Sequence, residues 1–457
     1  MPFTWSAAVP KAVRHAIAPV YLLLCLVLGG SVQGVWGSAL LQVLGLIMLG
    51  WASASASERP LSLPARRALW ILIAALVWIA LQQIPLPGSA WSSLGGRAKL
   101  AHDFEILGAS APAMSLSLAP YSSIATLLRL VPAIAIFCAM VRLHAYRSIW
   151  LIWALIGGTI AGILLGALQA AHGPDSTAWY PYAESNFGVA TGFFANANHM
   201  ATLLVICIPF LAAVVSTTRR RHPRRLPAVA TLSFGVALML IAGIFINRSI
   251  AGIALGLPVV AVSSLLVLPR RGTSRRLVAI GSAILTVAAL VALAWTSING
   301  RDFATSVNSR AEMLNVTSRA TADFLPLGSG LGTFQQVYQL YEDHNRITPI
   351  HINHAHNDYL ELLLETGIPG AILILVFLIW WVVTATGVWR NPLASDFARA
   401  GTIATAAVLL HSFVDFPLRT ASISACFAAS LALMVASRRK AKRDASEFRP
   451  SRHVVIG

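Results

Sequence analysis

The sequence predicts an all-α polytopic membrane protein with about twelve transmembrane helices and large outer loops. The chain is 57% hydrophobic and only 11% charged, whereas a soluble domain carries about 25% charged residues. Its apolar residues form runs of roughly 18 to 25 residues, long enough for a helix to cross a hydrocarbon core of about 30 Å. The runs are continuous rather than alternating, which excludes a transmembrane β-barrel.

We expect the spans to form a single integral membrane domain, 1–457. The first apolar run could be read as a signal peptide, but no small-x-small cleavage site follows it, so we interpret it as the first span. The four cysteines fall inside spans and are expected to pack as small apolar residues. The approximate limits of the spans are 16–33, 35–53, 68–84, 122–142, 148–171, 198–215, 226–246, 249–268, 276–296, 362–387, 398–415 and 420–437.

The distribution of basic residues predicts the orientation of these spans. Arginine and lysine are concentrated in segments 59–67, 142–147, 219–225, 270–276 and 438–443. All five lie on one side if both termini are cytoplasmic, as the preference for positive cytoplasmic loops requires. The remaining long loops then lie on the opposite, outer side, and residues 438–457 form a basic cytoplasmic tail. The outer loops are 85–121, 172–197 and 297–361.

The net charge of +17 would suggest nucleic-acid binding in a soluble protein. Here the basic residues lie in short loops and in the tail, so membrane topology accounts for them. No nucleic-acid-binding fold or aromatic and basic platform accompanies the charge. We therefore expect the lipid bilayer, and no nucleic acid, as a partner.

A cluster of polar residues directly before an apolar helix is the strongest candidate for a catalytic site. It contains Asn353, His354, His356, Asn357 and Asp358. The N-terminus of a helix favours an anion, because its backbone N–H groups and dipole point there. A histidine with an ordinary pKa near 6.5 can accept a proton from a hydroxyl at neutral pH. The alternative is that these histidines are solvated loop residues, which a single histidine would favour but a cluster does not.

The same cluster is a weak candidate for a metal site. His354 and His356 are two residues apart and Asp358 is near them, but a third ligand and its supporting contacts cannot be placed. No outer loop contains the Asp-x-Asp motif of enzymes that use Mg²⁺ and nucleotide sugars. We expect no metal and no cofactor.

Three arginines near the predicted outer face are candidates for binding phosphate, since guanidinium groups match its geometry. Arg248 lies in a very short turn between two spans, against the trend of positive cytoplasmic loops. Arg129 lies inside the fourth span, where the alternative is that its side chain extends to the headgroups. Arg310 lies in the largest outer loop, where the alternative is an ordinary solvated arginine.

Four segments of the chain resemble the O-antigen ligase and O-antigen polymerase superfamily. The most specific is His356-Asn357 followed after nine residues by Gly367-Ile-Pro-Gly370. The others are the asparagine-containing stretch that includes Asn198, the glycine-rich stretch 326–334 and the late motif His411-Ser-Phe-Val-Asp415-Phe-Pro. The resemblance covers roughly residues 120 to 437.

This resemblance implies a membrane glycosyltransferase of the GT-C type, which takes a glycan from undecaprenyl diphosphate without a metal. It implies that His356 is the catalytic base and that Arg248 and Arg310 bind the diphosphate, with Arg129 as a further candidate. Ligases tend to have leucine four residues after the membrane-edge arginine, where this chain has Gly252. Polysaccharide polymerase therefore stays open beside lipid A-core ligase.

The expected reaction inverts the anomeric configuration at the periplasmic face of the bacterial inner membrane. The acceptor is the hydroxyl of lipid A-core or of a growing polysaccharide. Supporting roles, such as orienting the imidazole or the acceptor, are expected for six residues. These are Asn353, His354, Asn357, Asp358, Asn198 and Asp415.

Two other functions remain as alternatives. Transfer to a protein hydroxyl uses the same chemistry, and the sequence does not separate it from ligation or polymerisation. A flippase for lipid-linked glycans would place its polar residues near the bilayer midplane on discontinuous helices. The polar residues here are predicted at the outer edge, which favours an enzyme.

Overall fold

The computed structural model describes residues 10–32, 35–55, 60–268, 273–299, 306–343 and 352–436. Helices dominate this part of the chain, and its strands are one short antiparallel pair, β1 (Pro85–Leu86) and β2 (Met114–Ser115). The helices are α1 (Lys11–Leu28), α2 (Trp36–Ala54), α3 (Leu63–Leu81), α4 (Gly88–Ser92), α5 (Ala98–Ile106), α6 (Pro120–Val141), α7 (Ser148–His172), α8 (Ala197–Arg221), α9 (Leu226–Asn247), α10 (Ile250–Val267), α11 (Thr273–Asn299), α12 (Ser306–Phe324), α13 (Phe334–Tyr341), α14 (Asp358–Arg390), α15 (Asp396–His411) and α16 (Ala421–Ala436).

The predicted fold class is confirmed. Among the described residues nine helices are long and apolar enough to cross a membrane: α1 to α3, α6 to α10, and α14. The other three predicted spans correspond to α11, α15 and α16. Of these, α15 and α16 have 16 residues each, fewer than the roughly 20 of a usual transmembrane helix. The predicted basic tail, 438–457, lies outside the described residues.

Helix α8 is the most buried of the nine, with 78% of its apolar stretch inside the protein. It packs against α15, α10, α9 and α7. Gly243 of α9 and Gly252 of α10 permit close approach to Leu204 and Ala201 of α8. The four cysteines of the chain are free and buried in the main apolar core, and of these Cys207 belongs to α8. The start of α8 therefore provides a rigid support for any site at that end of the bundle.

A second, smaller apolar core lies in the predicted outer loop 297–361. Met313 and Phe324 of α12 pack with Phe334 and Val337 of α13 and with Leu364 of α14. The predicted loop is thus partly helical and is attached to the beginning of α14. This attachment brings the polar residues of α12 close to the histidine cluster.

The glycine-rich segment 326–332 lies against a kink in α14. At the kink Gly367 has a φ of 62°, which a residue with a side chain rarely adopts. The N–H of Ile368 donates to the carbonyl of Pro326 at 2.8 Å. A Cβ atom on Gly328 would lie 2.6 Å from the backbone nitrogen of Gly367. The two glycines are needed because the two backbones touch.

A buried arginine in the predicted outer loop 85–121 holds the same segment. The guanidinium of Arg97 donates to the carbonyls of Gly95, Leu116 and Gly328. It also lies 5.5 Å from the ring centroid of Phe324. Backbone carbonyls and an aromatic face therefore solvate this cation, and they tie loop 85–121 to the glycine-rich segment.

Candidate active site

His356 lies in the segment that leads into α14. Its φ of 51° falls in the left-handed region, which costs a residue with a side chain roughly 1 to 2 kcal/mol. The next residue, Asn357, ends this segment, because its side chain accepts the N–H groups of Tyr359 and Leu360 at 3.1 and 3.0 Å. Asn357 therefore caps α14, and Asn353 is exposed at the other end of the segment.

The hydrogen bond of His356 selects one tautomer of its imidazole. Nδ1 lies 3.2 Å from the carbonyl oxygen of His354. A carbonyl only accepts, so Nδ1 carries the hydrogen and Nε2 keeps a lone pair. Burial lowers the pKa of His356, Asp415 acts against this shift, and Arg310 adds to it. The imidazole is thus neutral at neutral pH and can accept a proton at Nε2.

The ring of Phe416 joins three histidines from different parts of the chain. Its centroid lies 4.3 Å from that of His354, 4.9 Å from that of His199 and 5.0 Å from that of His356. His199 comes from the start of α8, and Phe416 follows α15. The late motif contains Phe416, but sequence reasoning assigned it no role, because one more apolar residue near a span end carries no signal of its own.

Asp415 is the buried anion beside these histidines. Its Oδ1 accepts the N–H of Phe416 at 2.9 Å, and its Oδ2 lies 3.9 Å from Nε2 of His411. Burial raises the pKa of a carboxyl, but nearby basic groups outweigh it here and the pKa lies below its usual value. Those groups are His199, His356, His411 and Arg310.

Arg310 belongs to α12 and is partly buried. It lies close enough to act electrostatically on His356, His411 and Asp415. The structure therefore brings the predicted loop arginine together with the predicted base, although 46 residues separate them by number. The small apolar core of α12, α13 and α14 is the physical cause of this approach.

Arg248 occupies the turn between α9 and α10, with a φ of 59°. Its neighbour Ser249 donates to Oδ1 of Asn198 at 2.7 Å, and Asn247 donates to the carbonyl of Ala197 at 2.9 Å. These contacts fix the turn on the start of α8, beside the histidine group. The side chain of Arg248 itself is exposed.

Arg129 lies in a different part of the site. It is partly buried in α6, and its charge acts on that of Arg419. The structure thus places it on the side of α14 that carries the acidic residues. It does not join Arg310 in the group around His356 and Asp415.

Three buried carboxylates of α14 surround Arg419. The guanidinium lies 3.4 Å from Asp358, 3.1 Å from Glu361 and 3.3 Å from Glu365. Asp358 also accepts the hydroxyl of Ser412 at 2.9 Å, which joins α14 to the end of α15. Sequence reasoning assigned no role to Glu361, Glu365 or Arg419. Carboxylates at positions i, i+3 and i+7 of an otherwise apolar helix were the available signal, because buried acids in a span are costly.

The arrangement can carry out general-base chemistry next to cationic groups. His356 offers a proton-accepting nitrogen, and Arg310 offers a positive charge close to it. Where the structure describes the chain, it holds no group of three or more histidine, cysteine, aspartate or glutamate side chains placed to bind a metal ion. Asn357 and Asp358 are engaged in a helix cap and an ion pair, so both hold the site in place.

A family model described as O-antigen ligase matches residues 234–375. The matched segment runs from α9 to the first half of α14 and includes Arg248, Arg310 and His356. The match confirms the predicted resemblance: the chain is an all-α membrane protein that carries a domain of the O-antigen ligase and O-antigen polymerase superfamily. An enzyme of the O-antigen ligase type is the general function that this family supports. No curated protein matches the chain.

Proposed function

We propose that this protein is an inverting, metal-independent glycosyltransferase that uses undecaprenyl-diphosphate glycan as its donor. It acts at the periplasmic face of the bacterial inner membrane, on lipid A-core or on a growing polysaccharide. The observation that carries the proposal is the tautomer of His356. Its Nδ1–H donates to a backbone carbonyl, which leaves Nε2 ready to accept a proton within the segment matched by the O-antigen ligase family.

In the proposed reaction, Nε2 of His356 takes the proton of the acceptor hydroxyl. The acceptor oxygen then forms a bond to the anomeric carbon of the donor glycan from the side opposite the diphosphate. The bond from that carbon to the diphosphate oxygen breaks, and undecaprenyl diphosphate leaves with the electron pair. One displacement of this kind inverts the anomeric configuration.

The negative charge that develops on the leaving diphosphate requires cationic groups placed in advance. Arg310 is the candidate with the strongest support, because it acts electrostatically on His356 and Asp415. Arg248 supports the same role from an exposed turn fixed on the start of α8. Arg129 lies near Arg419 and is the weaker candidate for direct contact.

The first experiment identifies the base and the acceptor. Purified wild-type protein, His356→Ala and the control His102→Ala are each incubated with undecaprenyl-diphosphate glycan, and the products are separated by mass. The control histidine is exposed in the predicted outer loop 85–121. We expect His356→Ala to lower the transfer rate by about 10² to 10⁴, the usual contribution of general-base catalysis, and His102→Ala to leave it unchanged.

The products also separate the possible acceptors. A lengthened lipid-linked glycan indicates a polymerase, whereas an unchanged glycan requires lipid A-core, and then a protein acceptor, to be added. Full transfer activity of His356→Ala would reject the proposed base. Movement of the donor across vesicles without any transfer would favour the flippase.

A second experiment tests the cationic groups with a matched pair on α12. Arg310 is partly buried and acts electrostatically on His356, whereas Arg319 is exposed on the same helix. We expect Arg310→Ala to lower kcat by about 10² to 10³, and Arg319→Ala to have no measurable effect. Arg248→Ala is tested alongside them, and full activity with normal donor affinity would exclude its role in binding the diphosphate.

A further inference from the structure

Glu361 is a fully buried carboxylate in the first turn of α14. It follows the predicted base by five residues, and the transfer reaction proposed above gives it no role. A buried carboxylate at a membrane boundary is costly unless its oxygens accept hydrogen bonds or face a cation. Its contacts therefore indicate what it does.

Both oxygens of Glu361 hold the segment that precedes His356. Oε1 accepts from Nδ1 of His354 at 2.8 Å, and Oε2 accepts the backbone N–H of Ala355 at 2.8 Å. Oε1 also lies 3.1 Å from the guanidinium of Arg419. The carboxylate thus fixes one side chain and one backbone group directly before the predicted base.

The contact between Glu361 and His354 also affects the imidazole of His356, because His354 binds both residues. The carbonyl of His354 is the group that accepts from Nδ1 of His356. His356 is also in the left-handed region, a conformation that persists only where surrounding contacts hold it. Glu361 holds the chain on one side of His356, and the cap formed by Asn357 holds it on the other.

We propose that Glu361 is a positioning residue, which sets the backbone conformation and the tautomer of His356 by binding His354 and Ala355. Arg419 supplies the charge that keeps this carboxylate ionised in a buried place. The inference rests on the proposed function for its effect on transfer, but the contact itself concerns only the imidazole. It can therefore be tested with and without activity.

Glu365 provides a matched control on the same helix. Both glutamates are fully buried and both contact Arg419, but Glu365 accepts the N–H of Phe334 instead of groups from the histidine segment. In Glu361→Gln an amide NH₂ replaces one of the two accepting oxygens, so that one donor faces another donor. In Glu365→Gln the amide oxygen still accepts from Phe334 and the NH₂ faces Arg419, so this variant also removes a charge beside Arg419 but leaves the contacts of the histidine segment in place.

The experiment compares the two variants by nuclear magnetic resonance and by kinetics. In protein labelled with ¹⁵N-histidine, the signals of His356 are assigned by their loss in His356→Ala. We expect wild type and Glu365→Gln to show the Nδ1–H tautomer, and Glu361→Gln to show a mixture. We also expect Glu361→Gln to lower kcat about 10 to 100-fold, the scale of a small misplacement, with little change in the KM for the lipid donor.

The outcomes separate this inference from the proposed function. A wild-type tautomer with wild-type kcat in Glu361→Gln would overturn the positioning role. Equal losses of kcat and of melting temperature in both glutamine variants would also overturn it, because charge balance around Arg419 would then explain the effect. An altered tautomer in Glu361→Gln together with full activity of His356→Ala would support the contact and reject the proposed base.

Discussion

Two buried ionic clusters lie at opposite ends of the packed helices α8 and α15. At the end where α15 finishes, Arg419 faces three carboxylates of α14. At the end where α15 begins, the single carboxylate of Asp396 faces Arg220 and Arg399. The first cluster has an excess of acid and the second an excess of base. The excess of base in the second cluster agrees with its position at the end of the helices where the sequence concentrates its arginines.

The two clusters also differ in what they hold. The guanidinium of Arg399 donates to the carbonyl of Asn391, and Thr217 of α8 donates to Asp396. That cluster therefore ties helix ends and a turn together. In the Arg419 cluster, Glu361 also binds His354 and Ala355, and it thereby connects the cluster to the segment that carries the predicted base. The same ionic chemistry stabilises the bundle at one end and shapes the candidate active site at the other.

The largest expected effect comes from removing the cation of the acidic cluster. Arg419→Gln leaves three buried carboxylates without their guanidinium, and breaking a buried ion pair in this way costs about 3 to 5 kcal/mol of the free energy of unfolding. We expect a large fall in the melting temperature of the purified protein in detergent, together with loss of transfer. Arg390→Gln, at the exposed C-terminal end of α14, is the control.

Removal of the anion at the opposite end should have a smaller effect. Asp396→Asn leaves Arg220 and Arg399 without the carboxylate, but Arg220 is 39% exposed and can turn towards water. We expect a loss of about 1 to 3 kcal/mol in the free energy of unfolding, again measured by melting temperature. The kcat of the folded fraction should stay unchanged. An equal fall of kcat in Asp396→Asn and Arg419→Gln would remove the distinction between the two ends.

The smallest effect is a shift in the pH dependence of transfer. The charge of Asp415 raises the pKa of His356 against the effect of burial, so Asp415→Asn should lower that pKa further. Protonated His356 cannot act as a base. In Asp415→Asn the acid limb of the plot of kcat against pH should therefore move to lower pH, which is measured between about pH 5 and 8. Asp396→Asn should leave the limb in place. A limb that moves to higher pH in Asp415→Asn would contradict the electrostatic contact.

The sequence predicted those properties that depend on residues close together in the chain, such as the formation and the start of a helix. Continuous apolar runs determined the helices, because a bilayer requires a fixed length and a helix satisfies its own backbone. The pattern from His356 to Gly367 placed the predicted base directly before the start of a helix, which the cap formed by Asn357 explains. The apolar attachment of α12 to α14 was not predicted, because its residues read only as a loop.

Tertiary structure alone decided which groups meet around the base. Arg419 and Glu365 are 54 residues apart, and Phe416 contacts histidines from two other segments. Their side chains meet because α8 and α14 begin, and α15 ends, at the same side of the bundle. No periodicity within one helix encodes that meeting. The sequence by itself determined an all-α membrane protein with a histidine at a helix N-terminus. A local contact with the carbonyl of His354 selects the tautomer of that histidine. The packing of helix ends decided which charges act on it, since those charges come from segments far apart in the chain.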